Sequence, residues 1–89
     1  MTTNLATEVM QDDLAISLAR GMAMANKKAR ELGVNVVQSL ISITQTQQND
    51  GSVWRVNYGP KDYINQRGGD VLIEVDMLNI AITKIIRGQ

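Results

Sequence analysis

The stretch DVLIEVDMLNIAITKIIR, residues 70–87, decides the fold, because apolar residues alternate along it on both sides of one short turn. Three apolar residues of its first half share a face: Val71, Ile73 and Val75. Three isoleucines of its second half also share a face, with Lys84 interrupting them: Ile80, Ile82 and Ile86. A period of two is typical of half-buried strands. We therefore predict strands over about 70–76 and 80–87, joined by a turn in which Asn79 takes a left-handed conformation.

The preceding residues continue this pattern toward the N-terminus. The face of a strand over about 52–58 carries Trp54, Val56 and Tyr58. An earlier strand over about 36–47 places three apolar residues on one face: Val37, Ile41 and Ile43. The dipeptide Asp50-Gly51 lies between the two, and Asp-Gly is a strong hairpin signal. These residues predict an antiparallel meander of four strands.

Residues 11–32 have helical spacing instead. The apolar stripe of this segment consists mostly of small residues: Ala15, Leu18, Ala19, Met22, Ala25, Ala29 and Leu32. Asp12 and Asp13 stand near its start and basic residues near its end, which suits the helix dipole. Gly33 follows the last periodic residue, as a left-handed C-cap does. A stripe of small side chains lets a helix lie close against a sheet.

Together these elements predict one α+β domain over residues 1–89, with a helix packed on a four-stranded antiparallel sheet in the order α-β-β-β-β. A helix of about 20 residues and a strand of about nine both span roughly 30 Å, so the helix can cover one face of the sheet. The other face is mixed in character. Three apolar residues on it would prefer a partner: Leu40, Val53 and Leu72.

The helix followed by a meander resembles the cystatin-like fold. The second half, with Trp54-Arg55-Val56, the pair Gly68-Gly69 and the strand ending at Asp76, is similar to small nuclear-transport-factor-two-like immunity proteins of bacterial toxin systems. In such domains the last turn usually carries Gly, whereas this chain has Asp76–Asn79 there. The resemblance implies a protein that binds a toxin and blocks it without catalysis. It assigns no binding residue.

Composition excludes several classes of function. The chain has no Cys and no His, which removes disulfides, thiolate zinc sites and the usual nucleophile–base pairs. Nine basic and nine acidic residues balance, and aromatic residues are 3% of the chain, so we expect no nucleic-acid partner. We expect no cofactor and no metal. The carboxylates Glu74 and Asp76 are interpreted as a solvated strand face, paired with Lys84 or Arg87. No apolar run is long enough for a membrane span, and the first residues lack a signal-peptide pattern, which predicts a cytoplasmic protein.

The long connection between Gly59 and Gly69 is the main candidate for binding, since long loops in small domains often carry function. It mixes charged, aromatic and apolar side chains: Lys61, Asp62, Tyr63, Ile64 and Arg67. Tyr and Arg are enriched at interface hot spots. The alternative is that Tyr63 and Ile64 pack back onto the domain as a lid.

These observations favour a non-enzymatic interaction domain that presents its open sheet face or its long loop to another protein. A second interpretation is self-association, in which Leu40, Val53 and Leu72 form the core of a homodimer. A third is a small ligand-binding or enzymatic domain. Its proton chemistry would use Tyr58 or Tyr63 with a nearby carboxyl group from Asp62, Asp70 or Asp76.

Overall fold

The computed structural model describes residues 11–49, 51–60 and 70–88, which form one helix followed by a four-stranded antiparallel sheet. The elements are α1 (Asp13–Glu31), β1 (Ser39–Gln48), β2 (Gly51–Pro60), β3 (Val71–Asp76) and β4 (Ile82–Arg87). The strand order is β1-β2-β3-β4, and every neighbouring pair is antiparallel. The predicted α-β-β-β-β order and the α+β class are confirmed. Over the ranges given above, no helix combines the length and the hydropathy that crossing a lipid bilayer requires.

Both ends of helix α1 are capped by hydrogen bonds. The side chain of Asp12 accepts a hydrogen bond of 2.9 Å from the backbone N–H of Ala15, as an N-cap does. At the other end Gly33 has a φ of +91°. The N–H groups of Gly33 and Val34 donate to the carbonyls of Arg30 and Ala29, which is the Schellman arrangement. Gly33 therefore ends the helix as predicted.

The buried line of α1 is centred on Gly21, Ala25 and Ala29. Ala15 and Ala19 are exposed, so the predicted stripe was wrong at these two positions. At about 100° per residue they fall roughly 80–120° away from the centre of the line. The small residues at the centre let the helix approach β2 and β3, on which it packs.

Gly21 has a specific reason to be glycine. A Cβ atom at this position would lie 2.8 Å from Cδ1 of Trp54. The indole is held in place because its Nε1 donates to the hydroxyl of Ser17 at 3.0 Å. That hydroxyl in turn donates to the carbonyl of Met77 at 3.2 Å, which ties α1 to the end of β3. The edge of the indole thus occupies the space that a side chain at position 21 would need.

The core lies between α1 and the two central strands, where the predicted faces are confirmed. Its buried strand residues are Trp54, Val56, Tyr58, Val71, Ile73 and Val75. The first strand starts later than predicted, at Ser39, because the chain turns at residues 35–38, where the Asn35 side chain accepts from the Gln38 N–H. Val37 is therefore an exposed turn residue and does not share a strand face with Ile41.

The last strand departs most from the prediction. A register shift between Glu74 and Val75 changes the phase of β4, so that Val75 pairs with Ile82 whereas Ile73 pairs with Ile85. Ile86 consequently faces away from the helix, opposite Leu72, and does not share a face with Ile82. The turn before it also differs, since the left-handed residue is Ile80, with a φ of +51°, and not Asn79.

Candidate interaction surface

The face of the sheet turned away from α1, here called the open face, carries three cross-strand rows. One row is Ser42, Asn57, Leu72 and Ile86; the next is Thr44, Arg55, Glu74 and Lys84; the third is Thr46, Val53 and Asp76. Within residues 11–49, 51–60 and 70–88, no helix or strand packs on this face. The rows differ in chemistry, so the two ends of the face are not equivalent.

One end is apolar, and its three aliphatic residues, Leu40, Leu72 and Ile86, are here called the apolar patch. Leu40 is 47% exposed and Ile86 is 40% exposed, while Leu72 is half-buried between them. Leu72 and Ile86 are directly paired, so their Cβ atoms lie about 5 Å apart. Leu40 lies two strand spacings from Leu72 and two residues further along the strands, which together correspond to roughly 12 Å. Its register partner is Gly59, and Asn57, the register partner of Leu72, is the adjacent open-face residue of β2.

The candidate binding loop begins and ends beside this patch. Pro60 pairs with Ser39, next to Leu40, and the N–H of Gly88 donates to the carbonyl of Asp70 just beyond Ile86. The predicted binding residues of the loop, Lys61, Asp62, Tyr63, Ile64 and Arg67, lie outside the described residues. The chain therefore enters and leaves the loop at the apolar end of the open face.

The middle row carries charge. The Nε of Arg55 lies 3.1 Å from Oε2 of Glu74, without the alignment of a hydrogen bond, so this contact is an ion pair. Gln48 donates from Nε2 to the other carboxylate oxygen at 3.1 Å, and Lys84 is the register partner of Glu74 on β4. Glu74 is buried, so its interpretation as a solvated carboxylate was wrong. Cross-strand partners supply the polar contacts that burial of a charge demands.

Val53 lies at the opposite end from the other two residues predicted to form a dimer core. Its side chain is only 6% exposed, beside a small cavity of about 120 Å³ that is also lined by Gln48, Asp76 and Thr83. On β2 it is six residues from Gly59, the register partner of Leu40, which corresponds to roughly 20 Å. The structure thus places Leu40 and Leu72 at the same end of the open face and Val53 at the other end.

Tyr58, one candidate for proton chemistry, is tied into the core. Its hydroxyl donates to Oδ1 of Asn26 at 2.7 Å, and the side chain is buried. Burial raises the pKa of Tyr58 to about 12, an effect that the nearby positive charge of Arg30 partly opposes. A phenol with so high a pKa is a poor acid at neutral pH. The other tyrosine of this hypothesis, Tyr63, and Asp62 lie outside the described residues.

The carboxylate of Asp76, also named in that hypothesis, organises the turn between β3 and β4. It accepts hydrogen bonds from the N–H of Leu78 at 3.0 Å and from Nδ2 of Asn79 at 2.8 Å. Beside this turn and the start of α1 is an open cleft of about 490 Å³. Apolar side chains from Leu14 and Met77 line it, as do the acidic residues Asp13 and Asp76.

Ile86 lies on the open face, whereas the sequence pattern placed it on the same face as Ile82. The signal that could have found it is the break in alternation at Lys84-Ile85-Ile86, where a charged residue falls on the predicted apolar face and two isoleucines are adjacent. Such a break is typical of a bulge, which shifts the phase of the strand by one residue.

Comparisons with protein families, with characterised proteins and with solved structures found no match to this chain.

Proposed function

We propose that the chain is a non-enzymatic, cytoplasmic protein-interaction domain, and that it binds and inhibits a toxin in the manner of the immunity proteins it resembles. The observation that carries the proposal is the apolar patch, which places three large aliphatic side chains at one end of the open face. Leu40 and Ile86 remain partly exposed to water there. Covering such side chains contributes about 1.5–3 kcal/mol for each one fully buried.

The surroundings of the patch also suit a protein partner. The neighbouring row of Arg55, Glu74 and Lys84 provides a charged border on one side. Interfaces commonly combine an apolar centre with a polar rim. On the other side the chain continues into residues 61–69, whose Tyr63 and Arg67 are of the residue types that contribute most at hot spots.

The test uses two neighbouring isoleucines as a matched pair. Ile86 on the open face and Ile85 on the helix face are 40% and 38% exposed. We expect Ile86→Glu to weaken the complex with the partner about tenfold or more, because a charge would be buried against an apolar surface. We expect Ile85→Glu to bind as the native chain does, provided that circular dichroism shows both variants folded.

Two measurements address the partner. The protein encoded beside this chain is first tested for binding by titration calorimetry. It is then expressed in a growing culture with the native chain or with either variant. Growth arrest that the native chain and Ile85→Glu relieve, and that Ile86→Glu does not, supports the proposal. Equal protection by both variants would contradict the assignment of the patch, and binding without protection would contradict the immunity role.

A second candidate function rests on the open cleft. Its volume of about 490 Å³ lies within the range of small-molecule sites, and its two carboxylates beside apolar side chains suit a small cationic ligand. A thermal-shift screen of aliphatic and aromatic amines tests it, because a ligand that binds only the native state raises the unfolding temperature. If no amine shifts the native chain, or if Asp13→Asn shifts equally, this candidate fails.

A further inference from the structure

The two edges of the sheet are built differently. β4 is an edge strand that carries the cations Lys84 and Arg87 and is distorted by the register shift opposite Glu74 and Val75. Charges and bulges of this kind prevent edge strands from pairing with other molecules. β1 is the other edge strand, and its ten residues, SLISITQTQQ, contain no charge, no proline and no glycine. The described part of the chain places no strand along its outer side.

The helix also leaves β1 uncovered. α1 packs on β2 and β3, and its contact with β1 is marginal at most. Ile41 and Ile43 point to the same side of the sheet as α1, since they pair with the buried residues Tyr58 and Val56. Ile43 nevertheless remains 37% exposed. Among the residues that the structure describes, β1 therefore presents a backbone edge that no other strand pairs with, together with an apolar side chain beside it.

We propose that β1 pairs in antiparallel fashion with β1 of a second copy of this chain, about a two-fold axis at Ile43. This pairing aligns residues 39–47 of the two copies and joins the two sheets into one of eight strands. An antiparallel pair related by this axis keeps both helices on the same side of the joined sheet. Each helix lies over β2 and β3 of its own copy. The two helices are therefore separated by the width of both β1 strands and do not collide.

The sequence of β1 fits a copy of itself. In the proposed register the two Ile43 side chains meet at the axis, and each Ile41 lies opposite Gln45 of the other copy. On the open face Ser42 lies opposite Thr44. No like charges oppose each other, whereas pairs of β-branched residues and of hydroxyl-bearing residues stabilise adjacent strands. Each copy supplies the apolar surface that the other leaves exposed, which an unrelated extended peptide would not do in general.

The closing experiment compares equivalent positions on the two edge strands. Ile43 on β1 and Ile85 on β4 are both isoleucines on the helix face, 37% and 38% exposed. The native chain, Ile43→Lys and Ile85→Lys are studied by sedimentation equilibrium between about 10 and 500 µM, where small interfaces associate. We expect the native chain and Ile85→Lys to approach twice the chain mass of 9.8 kDa. We expect Ile43→Lys to weaken association at least tenfold, because two lysines would oppose each other at the axis.

Amide hydrogen exchange identifies the surface used. In a free edge strand alternate N–H groups face solvent, so self-association through β1 should slow their exchange in residues 39–47 as concentration rises. A native chain that stays monomeric over the whole range overturns the proposal. That monomeric result is the one expected if an unrelated strand is the true occupant. A dimer that survives Ile43→Lys, or one that leaves β1 exchange unchanged, overturns the proposal as well. Loss of association in Ile86→Glu but not in Ile43→Lys would instead assign the contact to the apolar patch.

Discussion

At the scale of single residues, the close approach of α1 to the sheet depends on a glycine, Gly21, at the point of contact. Gly21 faces the indole of Trp54, with only 2.8 Å between a Cβ built there and Cδ1. Alanine is normally better than glycine in a helix by about 1 kcal/mol. Overpacking a buried contact costs about 1–3 kcal/mol, and the hydrogen bond to Ser17 prevents the ring from moving away easily.

We therefore expect Gly21→Ala to lower the free energy of unfolding by up to about 2 kcal/mol, since the overpacking cost exceeds the gain in helix propensity. Denaturant unfolding followed by the fluorescence of Trp54, the only tryptophan of the chain, measures this. Ala19→Gly, on the exposed side of the helix, is the control, because it measures the difference in helix propensity between alanine and glycine without any packing contact. A Gly21→Ala variant stabilised by about 1 kcal/mol would show that the contact exerts no strain.

Tyr58 gives a prediction about alkaline pH. Its pKa is about 12 in the folded chain against 10.0 as the ordinary value, so between these pH values the unfolded chain releases the proton while the folded chain keeps it. Stability is therefore highest below pH 10, falls as the pH rises toward 12, and loses roughly 2–3 kcal/mol from this group. Tyr58→Phe should be less stable at neutral pH by about 1 kcal/mol, through loss of the bond to Asn26.

The check is a comparison of denaturant unfolding at several pH values. The decline above pH 10 should be steeper in the native chain than in Tyr58→Phe, because both retain every other titrating group, including Tyr63. Parallel declines in the two proteins would mean that Tyr58 titrates in the folded chain as it does in the unfolded one.

At the scale of elements, the sequence correctly predicted features that form within a single helix or strand. It did not predict features that depend on how two strands pair. The Schellman end of α1 follows from Gly33 itself, and the faces of β2 and β3 follow from strict alternation. The phase of β4 depends on where its pairing with β3 shifts, and the break in alternation at Lys84–Ile86 indicates a shift without fixing the residues of β3 that it faces. The ion pair of Arg55 with the buried Glu74 was missed for the same reason, because it joins different strands.

Gly33 allows a test of the helix end by itself. Its φ of +91° is costly for other residues, yet no atom lies within 4 Å of a Cβ built there. The cost of substitution is thus purely conformational. We expect Gly33→Ala to lower the free energy of unfolding by about 1 kcal/mol, and Gly33→Asn to lower it less, because Asn tolerates the left-handed region better. Thermal or denaturant unfolding gives the order, and equal stability of the Ala and Asn variants would contradict it.

At the scale of the whole molecule, the sequence predicted that one helix packs on one sheet. It did not predict which strands of the sheet the helix leaves exposed. The count of strands, their order and the side of the sheet taken by α1 all follow from periodicity. Which strands the helix covers does not, since that depends on where the small residues of α1 meet Trp54. The helix lies over the central strands, and the edge strand β1 is left uncovered for that reason.

If β1 does join two copies, the stability of the chain must depend on its concentration. Folding and association are then linked, and the unfolding temperature should rise by about 3–5 °C for each tenfold increase in concentration above the dissociation constant. Differential scanning calorimetry of the native chain and Ile85→Lys should show this rise, and Ile43→Lys should show it only at concentrations at least tenfold higher. Aggregation during unfolding shifts the apparent midpoint the other way, so it cannot imitate the effect. A midpoint of the native chain that does not move with concentration would mean that each copy folds alone, with β1 left as a free edge.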